Sequence, residues 1–182
     1  MACEFPNQIN NRNFLAPNGF TFTLSKDPKI SFFCTKAKIP LISYPPLNQP
    51  TYLKSIPLPA TTMEYDDLRL TFMIDEDMVN YISLYEWMTG LGFPKTTDQY
   101  RNLTQNENDS RINHLREVSD GDLTILNSNY NQNVIVRFKD LFPIELTSVE
   151  YDTQISDIQY LSAQATFQYT IYDIIGKDGK IV

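Results

Sequence analysis

The sequence predicts a mainly β, antiparallel fold with a single α-helix against the sheet, two extended arms and one polar insert. Three observations lead there. Apolar and polar residues alternate in several stretches, most completely from Ala163 to Ile171, and a period of two belongs to a strand with one face in a core. Aromatic residues are abundant, with 11 Tyr and 11 Phe in 182 residues, and beside β-branched residues they favour sheet over a helix bundle. A helical period occurs once, from Met78 to Met88.

The chain reads as one domain over 1–182, long enough to bury a sizeable core. Its formal charge of −7 argues against a protein that grips nucleic acid through phosphates, because that grip needs surplus Lys and Arg. Nucleic acid passing close by without being held stays compatible with it. Two cysteines, Cys3 and Cys34, cannot build a disulfide framework. No signal-like apolar segment follows Met1-Ala2-Cys3-Glu4, which points to a cytosolic origin. No apolar run reaches bilayer-spanning length.

Residues 1–17 are polar and Asn-rich, an arm that either frays or orders against a neighbour. After the turn signal Pro17-Asn18-Gly19, the residues Phe20, Phe22 and Leu24 alternate with Thr21, Thr23 and Ser25. Ile30, Phe32 and Cys34 repeat the pattern beyond Lys26-Asp27-Pro28, so the two runs read as a hairpin with Cys34 as a buried free thiol. Residues 40–60 hold six of the 11 prolines. Proline cannot donate to a ladder, so this is no central strand. Its apolar residues suit either a stiff docking arm or a long loop folded back on its own domain. Leu68, Leu70, Phe72 and Ile74 mark a second strand. Asp75-Glu76-Asp77 then opens the helix, where acidic groups cap free N–H groups and suit the dipole. Met78, Ile82, Tyr85 and Met88 form its apolar stripe, with Val79, Tyr81 and Trp87 widening the apolar surface, and Gly90, Gly92 and Pro94 end it.

Residues 95–119 read as an exposed polar insert, with one short helical turn near 109–117. It holds the only histidine, His114. Asp120-Gly121-Asp122 is a turn, Leu123 and Ile125 a short strand, and 127–133 a polar hairpin turn. Val134, Val136 and Phe138 alternate up to Leu141-Phe142-Pro143, which turns the chain. In the last strand Ala163, Ala165, Phe167, Tyr169 and Ile171 face the core, and Gln164, Thr166, Gln168 and Thr170 form a wet, hydrogen-bonding face. Residues 176–182 are a short tail.

Chemistry is thin. No Ser or Cys has a credible His–acid partner, no Gly-rich loop could cradle phosphate, and no Cys/His ligand set occurs. Asp75 and Asp77 lack the Gly turn and distal Glu of a calcium loop. No catalytic residue, metal or cofactor is expected.

The order of the pieces resembles the tail tube proteins of contractile-tailed bacteriophages. The likeness spans 13–173 and rests on YDDLRLTFMIDED at Tyr65–Asp77, YISLYEWM at Tyr81–Met88, LFPIELTSVEYD at Leu141–Asp152 and TIYD at Thr170–Asp173. The 95–119 insert and the residues past Asp173 fit the pattern less well. The resemblance implies a β-barrel-like sandwich, hexameric rings stacked into a tube inside a sheath, and phage DNA passing through the lumen without specific binding. It implies sheath and baseplate proteins as further partners, no membrane, and a place in the virion tail after assembly in the host cytoplasm. An acidic subunit is compatible with a lumen that repels phosphates. Inter-subunit contacts are expected at Phe14, Tyr44, Pro45, Pro46, Tyr52, Leu53 and Ile56. The inter-subunit sheet or lumen is expected at Gln164, Thr166, Gln168 and Thr170. A baseplate protein that initiates the tube has a similar fold and is an alternative. A carbohydrate-binding or hydrolytic β-sandwich is an alternative of another class.

Overall fold

One strand organises the molecule. The computed structural model describes residues 14–26, 34–104, 117–152, 154 and 160–181. Within them β9 (Gln132–Leu146) is the longest strand and belongs to two sheets. Its first half pairs with β8 (Ser119–Leu126) on one side and β11 (Ile171–Ile175) on the other, and β8 pairs onward with β1 (Phe20–Leu24). This is sheet A. Its second half pairs with β10 (Ser162–Gln168), which pairs with β7 (Leu68–Met73), which pairs with β2 (Cys34–Lys38). This is sheet B. All pairs are antiparallel, as the alternation predicts.

The change of sheet happens at Asp140, whose φ is 56°. A non-glycine residue in the left-handed region bends a strand sharply, and Asp tolerates that region better than most. Leu141-Phe142-Pro143 therefore does not turn the chain. It continues β9, and Pro143 sits opposite Phe167, where the missing N–H does no harm because this half of β9 has a strand on one side only. The partner ribbon breaks at the same level. The alternation from 163 to 171, expected as one strand, is two strands that change phase at Tyr169-Thr170. Tyr172 is consequently buried, and Ile171 is exposed.

Of the expected hairpin over residues 20–34, residues 27–33, with Ile30 and Phe32 of its second run, lie outside the described residues. β1 pairs in sheet A, and β2, which begins at Cys34, pairs in sheet B. Asp120-Gly121-Asp122 is no turn but the interior of β8. A Cβ on Gly121 would stand 2.5 Å from Leu141 Cδ1 and 3.0 Å from Phe22 Cζ. Glycine is there for close packing at the corner rather than for a turn.

Phe22, Leu24, Leu123, Val136 and Phe138 of sheet A meet Leu68, Leu70, Phe72, Ala163, Ala165 and Phe167 of sheet B in one core. α1 (Val79–Gly92) closes its open side through Leu84 and Trp87. Trp87 stacks at a tilt on Phe167 and donates Nε1–H to the Glu117 carbonyl at 2.9 Å. The surface expected to face the core does so only in part, through Trp87 and Tyr81. Ile82 is 46% and Tyr85 54% exposed, while Asn80, Leu84, Trp87 and Gly90 are buried. A helix apolar on every side offers no period by which to choose its inner face.

The acidic triplet does not cap this helix. Met78 occupies the cap position with φ 53° and no side-chain cap bond, and no acidic residue stands in the first turn. Asn80 does the polar work instead. Its Oδ1 accepts from the Tyr81 N–H at 2.8 Å and the Asp75 N–H at 3.3 Å, and its Nδ2 donates to the Met73 carbonyl at 2.7 Å. It ties the end of β7 to the start of α1. Asn80→Leu, which keeps the branched shape without the polar atoms, is expected to strand these backbone groups and lower stability by about 1–3 kcal/mol, read by urea denaturation; an unchanged midpoint would contradict the bridging role.

At the other end Gly90 lies inside the helix, Gly92 is its last residue, and Phe93 takes the left-handed cap position with φ 32° just before Pro94, so the helix stops where expected except at Gly90. The insert is not wholly a loop. α2 (Thr97–Thr104) packs against α1, with Leu103 filling the notch left by Gly90. There are thus two described helices where one was expected. Residues 105–116, with His114 and most of the expected helical turn at 109–117, lie outside the described residues. The C-terminal tail folds back at Gly176–Lys180 and bridges Ile181 to Ile175.

Candidate assembly surfaces

The segment 40–60 is built to project. β4 (Leu47–Gln49) pairs with β5 (Ile56–Leu58), and neither joins the main sheets. At its base β3 (Ile42–Ser43) pairs with β6 (Glu64–Tyr65). The prolines keep it out of the main sheets, as expected, and the segment satisfies its backbone as a two-stranded ribbon rather than as bare extended chain. Its tip is a closed turn. The Lys54 N–H donates to Thr51 Oγ1 at 3.3 Å, and the Thr51 hydroxyl donates back to the Lys54 carbonyl. Tyr52 and Leu53 on this tip are almost wholly in water, and Tyr44, Leu47, Ile56 and Leu58 are exposed along the ribbon. Pro45 and Pro46 are exposed at its base. Phe14, 93% exposed, stands with no cover at the start of the described chain. Phe14, Tyr52 and Leu53 gain almost nothing from the subunit alone, and burying an apolar side chain fully contributes about 1.5–3 kcal/mol.

Among the described residues three strands of the main sheets have a single strand partner: β1 pairs with β8, β2 with β7, and β11 with β9 apart from the single bridge to Ile181. Unpaired strand edges are templates for another chain.

The outer face of sheet B carries the row Gln164, Thr166 and Gln168. Thr166 departs from the expected wet face. It is 3% exposed, its hydroxyl donating to Glu145 Oε2 at 3.3 Å, because it stands between Arg69 and Glu145 in the ladder. Gln164 is half-buried, and its N–H donates to Thr147 Oγ1 at 2.8 Å. Gln168 and Thr170 are exposed, with Thr170 in the break between β10 and β11 and its N–H donating to the Lys139 carbonyl at 3.1 Å. The structure therefore brings Gln164, Thr166 and Gln168 together on one face and sets Thr170 at its margin. The outer face of sheet A is a charge ladder, with Arg137 on Asp122 at 2.9 Å and Lys139 on Asp173 at 2.6 Å.

The cysteine among the described residues is not poised to react. Cys34 is half-buried, and burial pushes its thiol up to about 11, so it stays protonated and inert at neutral pH. Burial also raises Tyr169, aided by the neighbouring Tyr172 and Asp66; its hydroxyl donates to the Asp66 carbonyl at 2.8 Å. Among the described residues no three His, Cys, Asp or Glu side chains gather into a metal-holding group, and no helix is long and apolar enough to cross a membrane.

The family model described as phage tail tube protein matches residues 2–175. The chain belongs to that family. A tail tube terminator protein of Enterobacteria phage T4 is 27% identical over 180 residues, covering 97% of this chain and 93% of the relative. Among solved structures, the tube terminating cap of the anti-feeding prophage overlays with a TM-score of 0.63 at 14% identity, covering 93% of this chain and 96% of that one. A chain from the sheath-tube complex of the PVC extracellular contractile injection system overlays at 0.55 and 11% identity, covering 91% and 93%. At such identities these two likenesses speak for the fold alone. Within the tail tube family, the chain is a structural component of the tube or terminator type from a contractile phage tail. The projecting ribbon, the open edges and the sheet B face are its candidate contact surfaces.

Proposed function

We propose that this tail tube family member forms a hexameric ring coaxial with the tail tube and that the ring ends the tube. The observation that carries this reading is the relative matched along nearly the whole chain, which is a terminator. The geometry supports a ring. An open β2 edge on one subunit and an open edge on the next can pair side by side, and repetition of one heterologous contact closes a cycle. Sheet B, with its polar outer face, then lines the bore, and the 40–60 arm reaches the neighbouring ring. The bore serves as a conduit for DNA during ejection, and the chain's role is structural rather than enzymatic. Sheath and baseplate components are its wider partners, met during assembly in the host cytoplasm.

A second reading is favoured by the family model, which is described as a tail tube protein. In it, identical rings stack without limit and make the body of the tube. The two differ in one physical respect. A tube-body ring accepts another copy on both faces, whereas a terminating ring accepts one on a single face. Negative-stain microscopy of the purified protein across concentration separates them. Rings that stay single or pair only once support termination, tubes that lengthen with concentration support the repeating body, and a persistent monomer overturns both.

A further inference from the structure

The net charge of −7 conceals an uneven distribution. On sheet A's outer face Arg137 and Lys139 each have a carboxylate partner. The outer face of sheet B is different. The register sets Lys38 directly across from Arg69, and Lys36 across from Thr71 two pairs further along. Lys36, Lys38 and Arg69 are all exposed, and among the described residues none of them has an ion pair. The one acidic group in the same cross-strand row, Glu145, lies beyond Thr166 and accepts that residue's hydroxyl. Like charges directly opposite in a ladder destabilise it. Here the sheet carries such a pair without internal relief, on the face that also bears Gln164 and Gln168.

We propose that this cationic strip engages the phosphates of duplex DNA in the bore, with every subunit of the ring contributing Lys36, Lys38 and Arg69. The inference rests on sheet B lining the bore, as proposed for the ring. Symmetry favours DNA over an acidic polypeptide. A ring presents identical strips around an axis, and a duplex carries regularly repeated charge around its own axis, so all strips can be occupied together. A single acidic segment would meet one strip at a time. Lys and Arg contacts to phosphate hold position without reading bases, so the engagement is independent of sequence and weakens with salt. The bore is then a surface that slows and centres the duplex rather than one that repels it.

The test uses the purified full-length protein, imaged for rings in the same sample, with a fluorescent linear duplex as probe and anisotropy read across salt concentration. Binding should fall linearly in log affinity against log salt. Arg69→Gln, on the interior strand β7 and so away from any edge pairing, should weaken it severalfold and reduce the slope by about one unit for each phosphate no longer engaged. Lys36→Gln/Lys38→Gln should weaken it further while rings persist. Rings that bind no duplex, or bind it unchanged in these variants, overturn the strip and leave the ring standing. Absence of rings overturns the ring; monomers that still bind duplex and lose it in Arg69→Gln support the strip alone, and monomers that bind none overturn both. Binding of polyglutamate in preference to duplex overturns the assignment to nucleic acid.

Discussion

Replacing Gly121 with valine is expected to lower the stability of the subunit by about 3 kcal/mol, a large part of the ~5–15 kcal/mol that holds a typical domain folded. The Cβ alone would stand 2.5 Å from Leu141 and 3.0 Å from Phe22, both fully buried. Two effects oppose each other. A β-branched residue suits a strand better than glycine, a gain of at most about 1 kcal/mol. The clash wins because both neighbours are fully buried among core side chains, and because Leu141 sits directly after the bend at Asp140. Alanine should cost about 1–3 kcal/mol. Pairing it with Leu141→Val should recover part of the loss, since touching residues couple non-additively. Urea denaturation of the parent and these variants measures this. A Gly121→Ala protein as stable as the parent would refute the close-packing role.

Placing aspartate at both Tyr52 and Leu53 is expected to abolish assembly while leaving the subunit folded. These side chains lie on a turn held by Thr51 and Lys54, on a ribbon that contributes no strand to the main sheets. Their loss therefore removes nothing from the core, and the midpoint of thermal unfolding of the monomer should be unchanged. In the proposed assembly the arm buries these side chains, and two carboxylates there would each carry a desolvation cost of several kcal/mol. Sedimentation velocity reads the result. A variant that assembles as the parent does would show that the arm tip takes no part in the interface.

The sequence made parts of this structure legible because the information there is local. Leu68, Leu70 and Phe72, and Ala163, Ala165 and Phe167, read as strands because their burial follows the period of two. The arm was legible through its prolines and exposed apolar residues, although the β4–β5 pairing was not. What was hidden depends on distant partners. Asp120-Gly121-Asp122 carries every sign of a turn, and only Leu141, folded against it, explains the glycine. α1 is apolar on all sides, so nothing local told that Ile82 and Tyr85 face out. Asn80 is a polar residue placed inside to satisfy backbone groups, and no pattern announces that. Lys36, Lys38 and Arg69 became one strip only when the register of β2 on β7 was known. The phase change at Tyr169-Thr170 was concealed because Ile171 continues the alternation in letters while the backbone does not.

Open strand edges of this subunit are completed by copies of itself: that is the central claim, and hydrogen exchange tests it most directly, comparing the assembled protein with the Tyr52→Asp/Leu53→Asp monomer. Amides of the β2 edge are expected to exchange quickly in the monomer and slowly in the assembly, while those of the interior strands β8 and β10 are protected equally in both. Equal exchange at β2 in the two states would contradict the claim.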